Sequence, residues 1–399
     1  MIKQPVGSLA VADRRRIMAV IGIIAEYNPF HNGHIKQLEF ARKLDKDATI
    51  IVAMSGNWMQ RGEPAIIDKW QRAKAAVLHG TNLVVELPLN VSVQPADIFA
   101  NGAIKLLKQL GCDKVIFGAE HPDLNFKELV ENRPGNIAEF HQFDQTYATA
   151  YQNYLTDQTG IKLKDSNDIL AYGYTLANSQ LTDPMELIPM ARVVAGHQDV
   201  EIASGARIAS AQSIRSAAQR GEFVKLDQTV PIETRKLIKN RPLVNWSQAW
   251  PLLKYRLMTS SPSQLRIIYQ MTEGIEYRLK DAVANSTNIK AFFENVKSKR
   301  YTYTRIQRLC VYVLLQTTTD QMNTRIKTTR VLAFDDKGRS QLHHLKGWNG
   351  INLITRMTQA WATGPYLIDD TADQVWNLMA QTESNQLNQK PIYISKKME

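Results

Sequence analysis

The chain has 399 residues, 44% hydrophobic and 22% charged, enough to bury a core without covalent staples. Its two cysteines, Cys112 and Cys310, form neither a CxxC nor a zinc spacing, which excludes a disulfide framework or a cysteine-built metal centre. Net charge is +11 but unevenly placed: residues 1–190 carry −2, residues 191–399 carry +13, and the stretch 291–350 alone carries +7. A near-neutral half joined to a basic half suggests a polyanionic partner such as nucleic acid on the second half; a solvated basic face is the alternative. The longest apolar runs are too short to cross a bilayer and no secretory signal precedes a cleavage site, so no membrane and a cytoplasmic location are expected.

Residues 1–17, with Asp13-Arg14-Arg15-Arg16, read as an extension or tag before the first apolar run. Ala19–Ala25 is continuously apolar, as in a strand covered on both faces. Helical spacing follows at 34–44, then a strand at Thr49–Met54, a helix around Trp70–Val77, and a short strand at Leu83–Val85. Another helix runs to Leu110 with Gly111 as its C-cap, and Lys114–Phe117 is a fourth strand. This alternation predicts an α/β fold with a doubly wound parallel sheet. Residues 139–181 read mainly helical, and Glu186–Val194 returns one strand to the sheet. Short helices are expected at 213–220 and 233–239, then 249–257, 262–284, 289–297 and 303–316, with a β-prone piece at Thr329–Phe334 and, over 370–399, a polar stretch read as a loose end or a small terminal element. Pro231, Pro242 and Pro251 interrupt the pattern, so the division falls near 240: an α/β domain over 18–240 and a mainly helical, basic region over 241–399.

The sharpest local signal is Ala25-Glu26-Tyr27-Asn28-Pro29-Phe30-His31-Asn32-Gly33-His34, between the first strand and the first helix. Ligands bind at the carboxyl ends of strands in open parallel sheets, and the helix start offers free N–H groups to an anion. His31 and His34 straddle that start, so both imidazoles can donate to one phosphate, while Gly33 permits close approach. This is not a P-loop, and as metal ligands the pair lacks a third partner, so no protein metal ligand is expected. A second phosphate element is read at Ser210–Arg215, where Ser210 or Ser213 caps a helix and Arg215 sits in its first turn.

The loop ending in His31-Asn32-Gly33-His34 resembles the HxGH signature of the nucleotidyltransferase superfamily related to class I aminoacyl-tRNA synthetases. The longer strings Met54–Ala65, Asp68-Lys69-Trp70, Glu86-Leu87-Pro88, Phe117–Glu120, Ser166–Ala171, Gly274–Leu279 and Lys299–Arg308 are similar to one family within it, the bacterial tRNA(Met) cytidine acetate ligases. The resemblance spans about residues 19–340. It implies that ATP activates acetate as acetyl-adenylate and that the acetyl group moves to N4 of the wobble cytidine of elongator tRNA(Met). It places ATP on Ile24, Ala25, Glu26, Tyr27, Asn28, Pro29, Phe30, His31, Asn32, Gly33 and His34, together with Gly118, Asn167 and Arg192. One departure stands out: the family's Tyr-His-Asp is His197-Gln198-Asp199 here.

Adenylate formation needs charge neutralised and groups held in line, with Mg²⁺ normally assisting; His31, His34, Arg215 and the serines suit that task. For RNA, Lys299, Arg300, Arg305 and Arg308 surround Tyr301 and Tyr303, a pattern fit for phosphates and a stacked base, extended by Arg325, Lys327 and Arg330. The competing reading, a small-molecule adenylyltransferase of cofactor biosynthesis, leaves the basic half without a task.

Overall fold

Five apolar segments of the first half form parallel strands: β1 (Val20–Ala25), β2 (Thr49–Ser55), β3 (Leu83–Leu87), β4 (Lys114–Ala119) and β5 (Glu186–Ala191). The structure is a computed structural model that describes residues 19–133, 153, 154, 156–192, 201–241, 243–346, 350–383, 386, 387 and 389–395. The expectations for residues 1–17, most of 139–155 and His197-Gln198-Asp199 lie outside the described residues.

The strands pair in the order β5-β4-β1-β2-β3, the doubly wound topology expected from the alternation. Period-two alternation splits their side chains between two layers. Ile21, Ile23, Ile50, Val52 and Val84 pack with helices α1 (Asn32–Leu44) and α2 (Lys69–Leu78). Ile51, Ala53, Val85, Val115 and Phe117 pack with α3 (Ala96–Gln109) and α4 (Ser166–Ser179). Gly22 is required on the second face, because a β-carbon there would lie 2.8 Å from Leu107 Cδ1 and 3.1 Å from Cys112 Sγ. Cys112 is thus core, 1% exposed. The chain leaves β1 toward β2 and β3 on one side and returns through β4 and β5 on the other. The β1/β4 boundary is therefore the switch point, where a crevice opens at the strands' carboxyl ends.

The second half is helical as expected: α5 (Ala211–Gln219), α6 (Ile232–Asn240), α7 (Trp246–Thr259), α8 (Ile275–Ala284), α9 (Ile289–Val296) and α10 (Tyr303–Leu315). The single helix expected over 262–284 is two, Pro262–Arg266 and α8. Gln270, Glu273 and Gly274 take positive φ between them, and Tyr269 N–H donates to Thr317 O. Trp246, Trp250, Phe292, Phe293, Leu309 and Tyr312 build a core of their own, into which Trp58 inserts from the first half.

A division at 240 does not separate sheet from helices. Thr328–Phe334 is β6, antiparallel to β3, and it carries β7 (Asn352–Ile354) and β8 (Ile392–Tyr393) as parallel neighbours. Arg330, expected to extend the basic surface, is buried within β6, stacked 4.6 Å over Trp70 and donating to Gln386. The 370–399 stretch is not loose throughout. Helix α12 (Leu367–Ala380), which follows α11 (Asp336–Leu345), buries Asp369, Asp373 and Trp376 against the first half. Among the described residues no helix is long and apolar enough to cross a membrane.

Candidate functional site

The floor of the crevice is set by one buried arginine. Arg72 on α2 donates to the carbonyls of Glu26 (2.7 Å), Ser55 (3.0 Å), Gly56 and Ile67, so the ends of β1 and β2 are tied together. Burial lowers its pKa to about 10, which leaves it charged at neutral pH.

From that floor the loop Glu26–Asn32 rises into α1, passing a cis Asn28–Pro29 bond. His31 is the N-cap of α1: its Nδ1 accepts from Gly33 N–H at 3.0 Å, and His34 Nδ1 accepts from His31 N–H at 3.2 Å. This reciprocal box fixes both tautomers. A neutral ring whose Nδ1 accepts carries its proton on Nε2, so each imidazole presents one N–H donor. Gly33 has a local reason as well, since a β-carbon there would stand 2.8 Å from His31 Cε1. Burial and the nearby Arg192 and Arg215 push the His31 pKa down to about 3. Burial and then His31 depress His34 well below its usual range. Both rings, stacked 3.7 Å apart, are therefore neutral donors at physiological pH. Asn28 is 2% exposed; its Oδ1 accepts from Ile66 N–H at 2.9 Å, while its Nδ2 is enclosed by protein with no partner among the described residues. The first N–H groups of α1 are already spent, Asn32 N–H on Thr229 O, Gly33 N–H on His31 Nδ1 and His34 N–H on His31 O, so what the cradle offers an anion is the two imidazole Nε2–H groups and the positive end of the helix dipole.

The second phosphate element closes on the same loop. Ser210 caps α5 and accepts from Ser213 N–H at 3.0 Å, with the two hydroxyls 2.9 Å apart. Arg215 Nη1 donates to Asn28 O at 2.9 Å and its Nη2 to Glu63 at 2.8 Å. Asn32 Nδ2 donates to Arg207 O and Gln228 O, which holds α1 to the α5 side. Glu26, at the end of β1, accepts from Gln60 N–H at 2.7 Å; burial and the nearby Glu63 raise its pKa despite that bond.

Across the switch point, Gly118, next to last in β4, leaves room for Arg192, whose Cγ would lie 3.0 Å from a β-carbon. Glu120 joins the other two residues, accepting from Asn167 Nδ2 and facing Arg192 Nη1 at 3.7 Å. Asp168 in turn accepts from Glu120 N–H (2.9 Å) and His121 N–H (3.1 Å) and pairs with His121 Nδ1 at 2.6 Å. His121, Asp165 and Asp168 bring ligand atoms within 4.8 Å of one another, but Asp168 is already saturated by these N–H donors. Glu63, Glu120 and Asp168 were not among the expected site residues. Their signal was their place inside the strings Met54–Ala65, Phe117–Glu120 and Ser166–Ala171.

The basic segment divides. Lys299 and Arg300 are exposed, Tyr303 is 41% exposed, and Arg305 is half-buried. Arg300 and Arg305 share one carboxylate, Glu273, at 3.1 and 3.3 Å. Tyr301 and Arg308 are not on that surface. Tyr301 is buried under the Arg305 guanidinium and donates its hydroxyl to Glu273 O at 3.1 Å. Arg308 is 8% exposed, because peptide 307–308 packs against Gly62, where a β-carbon would come within 2.7 Å of Arg308 N. Burial lowers the Arg308 pKa, and its Nε has no partner among the described residues.

Comparison with known proteins identifies the family. The family model HIGH Nucleotidyl Transferase matches residues 18–390. The tRNA(Met) cytidine acetate ligase of Levilactobacillus brevis is 44% identical over 88% of this chain and 91% of its own length. That of Leuconostoc citreum is 42% identical over 95% of this chain and 98% of its own. Among solved structures, Thermotoga maritima TmcAL bound with alpha-thio ATP superposes with a TM-score of 0.85 at 25% identity, covering 95% of this chain and 100% of that one. Signature, topology, site and relatives converge: this chain belongs to the tRNA(Met) cytidine acetate ligase family of HIGH nucleotidyltransferases.

Proposed function

We propose that this chain activates acetate with ATP and transfers the acetyl group to N4 of the wobble cytidine of elongator tRNA(Met). The observation that carries the reading is the donor cradle after β1. His31 and His34 present fixed Nε2–H groups at the N-terminus of α1, where the helix dipole is positive. A phosphate can accept from both imidazoles there.

In the first step an acetate oxygen attacks the α-phosphorus and the bond to pyrophosphate breaks. Charge builds on the phosphoryl oxygens and the leaving group. The neutral histidines stabilise it by donation, and Arg215 does so by charge from the α5 side. Gly118, Asn167 and Arg192 line the opposite wall and would hold the nucleoside, aligned through Glu120. Mg²⁺ would accompany the triphosphate. Glu26, with one carboxylate oxygen bound to Gln60 N–H and the other without a hydrogen bond among the described residues, is the side chain that would hold it. In the second step the cytidine N4 attacks the acetyl carbon, AMP leaves, and the nitrogen loses a proton. Residues 18–240 supply the nucleotide chemistry, and the basic segment of 241–399 takes the RNA.

The test is acetate-dependent pyrophosphate exchange beside transfer of labelled acetate to elongator tRNA(Met) and to bulk tRNA lacking it. Acetate-dependent exchange with label on tRNA(Met) alone is expected. Exchange indifferent to acetate, or label on neither RNA, would overturn the reading.

A further inference from the structure

We infer that Tyr303 is the platform on which the target base stacks, at the junction between the phosphate site and the basic segment. This deepens the function proposed above and rests on it.

Of the two tyrosines in the basic segment, Tyr301 is spent on the fold, with its hydroxyl and ring both engaged. Tyr303 differs. It opens α10, one edge of its ring rests on Phe293 at 5.1 Å, and 41% of its surface is open. Among the described residues its hydroxyl donates to nothing. An exposed aromatic ring held in place by another is what a sequence-tolerant base-stacking platform requires.

Its position ties it to the reaction. Gln307 lies one helical turn beyond Tyr303, and peptide 307–308 touches Gly62 with no room for a side chain there. The next residue, Glu63, holds Arg215, and Arg215 holds the Asn28 carbonyl of the phosphate loop. The phenol senses that neighbour: burial raises its pKa, and the Glu294 and Glu63 carboxylates raise it further. A ring at Tyr303 is thus fixed relative to the cradle through a short chain of rigid contacts.

The surrounding charge suits single-stranded RNA. Arg300 and Arg305 divide one carboxylate between them, which leaves an uncompensated positive charge. Lys297 and Lys299 are exposed and make no ion pair among the described residues. Phosphates flanking an unstacked base would lie on these cations while the base lies on the ring. Single-stranded loops with splayed bases are the RNA form that proteins read by stacking. Arg308, buried behind the same turn, takes no part in this surface.

The experiment uses the full chain and two independent readouts. An anticodon stem-loop carrying 5-iodocytidine at the target position is irradiated on the protein, and the adduct is mapped by mass spectrometry. This needs no acetyl transfer and no variant. An adduct on Tyr303 is expected; an adduct elsewhere, or none, overturns the proposal. In parallel, acetyl transfer to tRNA(Met) is measured for wild type, Tyr303→Phe, Tyr303→Trp and Tyr303→Leu, with a melting curve for each. The leucine variant should lose about ten- to a hundredfold in kcat/KM for tRNA, while phenylalanine and tryptophan stay within about threefold of wild type. A leucine variant as fast as wild type, or a phenylalanine variant as slow as leucine, sinks the stacking role. If wild type acetylates no tRNA, the function proposed above fails, yet the crosslink still reports on Tyr303.

Discussion

At the carboxyl end of β1, the two imidazoles have donors to spare; between β3, α2 and α12, among the described residues, the buried polar groups have none. In the second place Lys69, wholly buried, donates to Glu86 at 2.7 Å, to Asp373 and to the Tyr366 hydroxyl at 3.3 Å. Tyr366 donates to Glu86, and Asn57 Nδ2 donates to Asp373 at 2.9 Å. Trp58 and Trp376 add bonds to backbone carbonyls across the same contact. Both clusters hold charge or strong dipoles away from water, so burial alone does not tell a site from a strut. What separates them is completeness: a strut satisfies its polar groups internally, whereas a binding cradle leaves donors for the ligand.

The sharpest way to break this contrast is to remove a member of the saturated cluster. Lys69→Met should lower unfolding stability by about 3–5 kcal/mol, since it strands Glu86 and Asp373 without their cation. Urea denaturation followed by circular dichroism measures it. A loss near zero would mean that the cluster is not load-sharing and that the completeness argument is wrong.

The opposite profile is expected at the cradle. His34→Ala removes one N–H donor to the ligand and one arm of the α1 capping box. The cap should cost about 1 kcal/mol of stability, whereas the lost donor should slow adenylate formation by about 10²–10³. Pyrophosphate exchange and a melting curve on the same preparation separate the two. A variant that unfolds more readily but exchanges at the wild-type rate would make His34 a cap and nothing more.

The same contrast explains what could be read from sequence. The strands after Ala19 and the helices between them were legible because each hydrophobic pattern is local, with period two or 3.6. The cradle was legible because its residues follow one strand within ten positions. Glu63 and Glu120 were not, because their roles depend on Arg215 and Arg192, far along the chain. Arg330 and the 370–399 stretch were misread for a related reason. An arginine stacked on Trp70, and aspartates paired with a buried lysine, look polar and exposed until their distant partners are known. The division at 240 failed to separate sheet from helices likewise, since the pairing of β6 with β3 joins segments about 250 residues apart. Cutting there would expose an edge of the sheet as well as the socket for Trp58.

The mildest test of the contrast is titration. Asp369 on α12 accepts from Leu89 N–H at 2.7 Å, yet burial and then Glu86 push its pKa up to about 8 from the usual 3.8, with Lys69 only partly offsetting them. Asp373 beside it is raised to about 6 by the same burial. A raised carboxyl pKa means that the folded chain keeps a proton which the unfolded chain has released, so unfolding sheds protons between about pH 4 and 8. Stability contributed here must therefore fall as pH rises through that window and level off above it. The depressed pKa values of His31 and His34 act in the other direction below about pH 6.5, so the wild-type curve alone mixes the two. Asp369→Asn isolates the carboxyl, because the amide oxygen still accepts from Leu89 while the titration is gone. The variant should gain on wild type steadily from pH 5 to pH 8.5 in paired melting curves, with little difference at the acid end. Parallel curves would show that Asp369 ionises at an ordinary pH, and so that water reaches the cluster at this point and the strut is less dry than the cradle it is contrasted with.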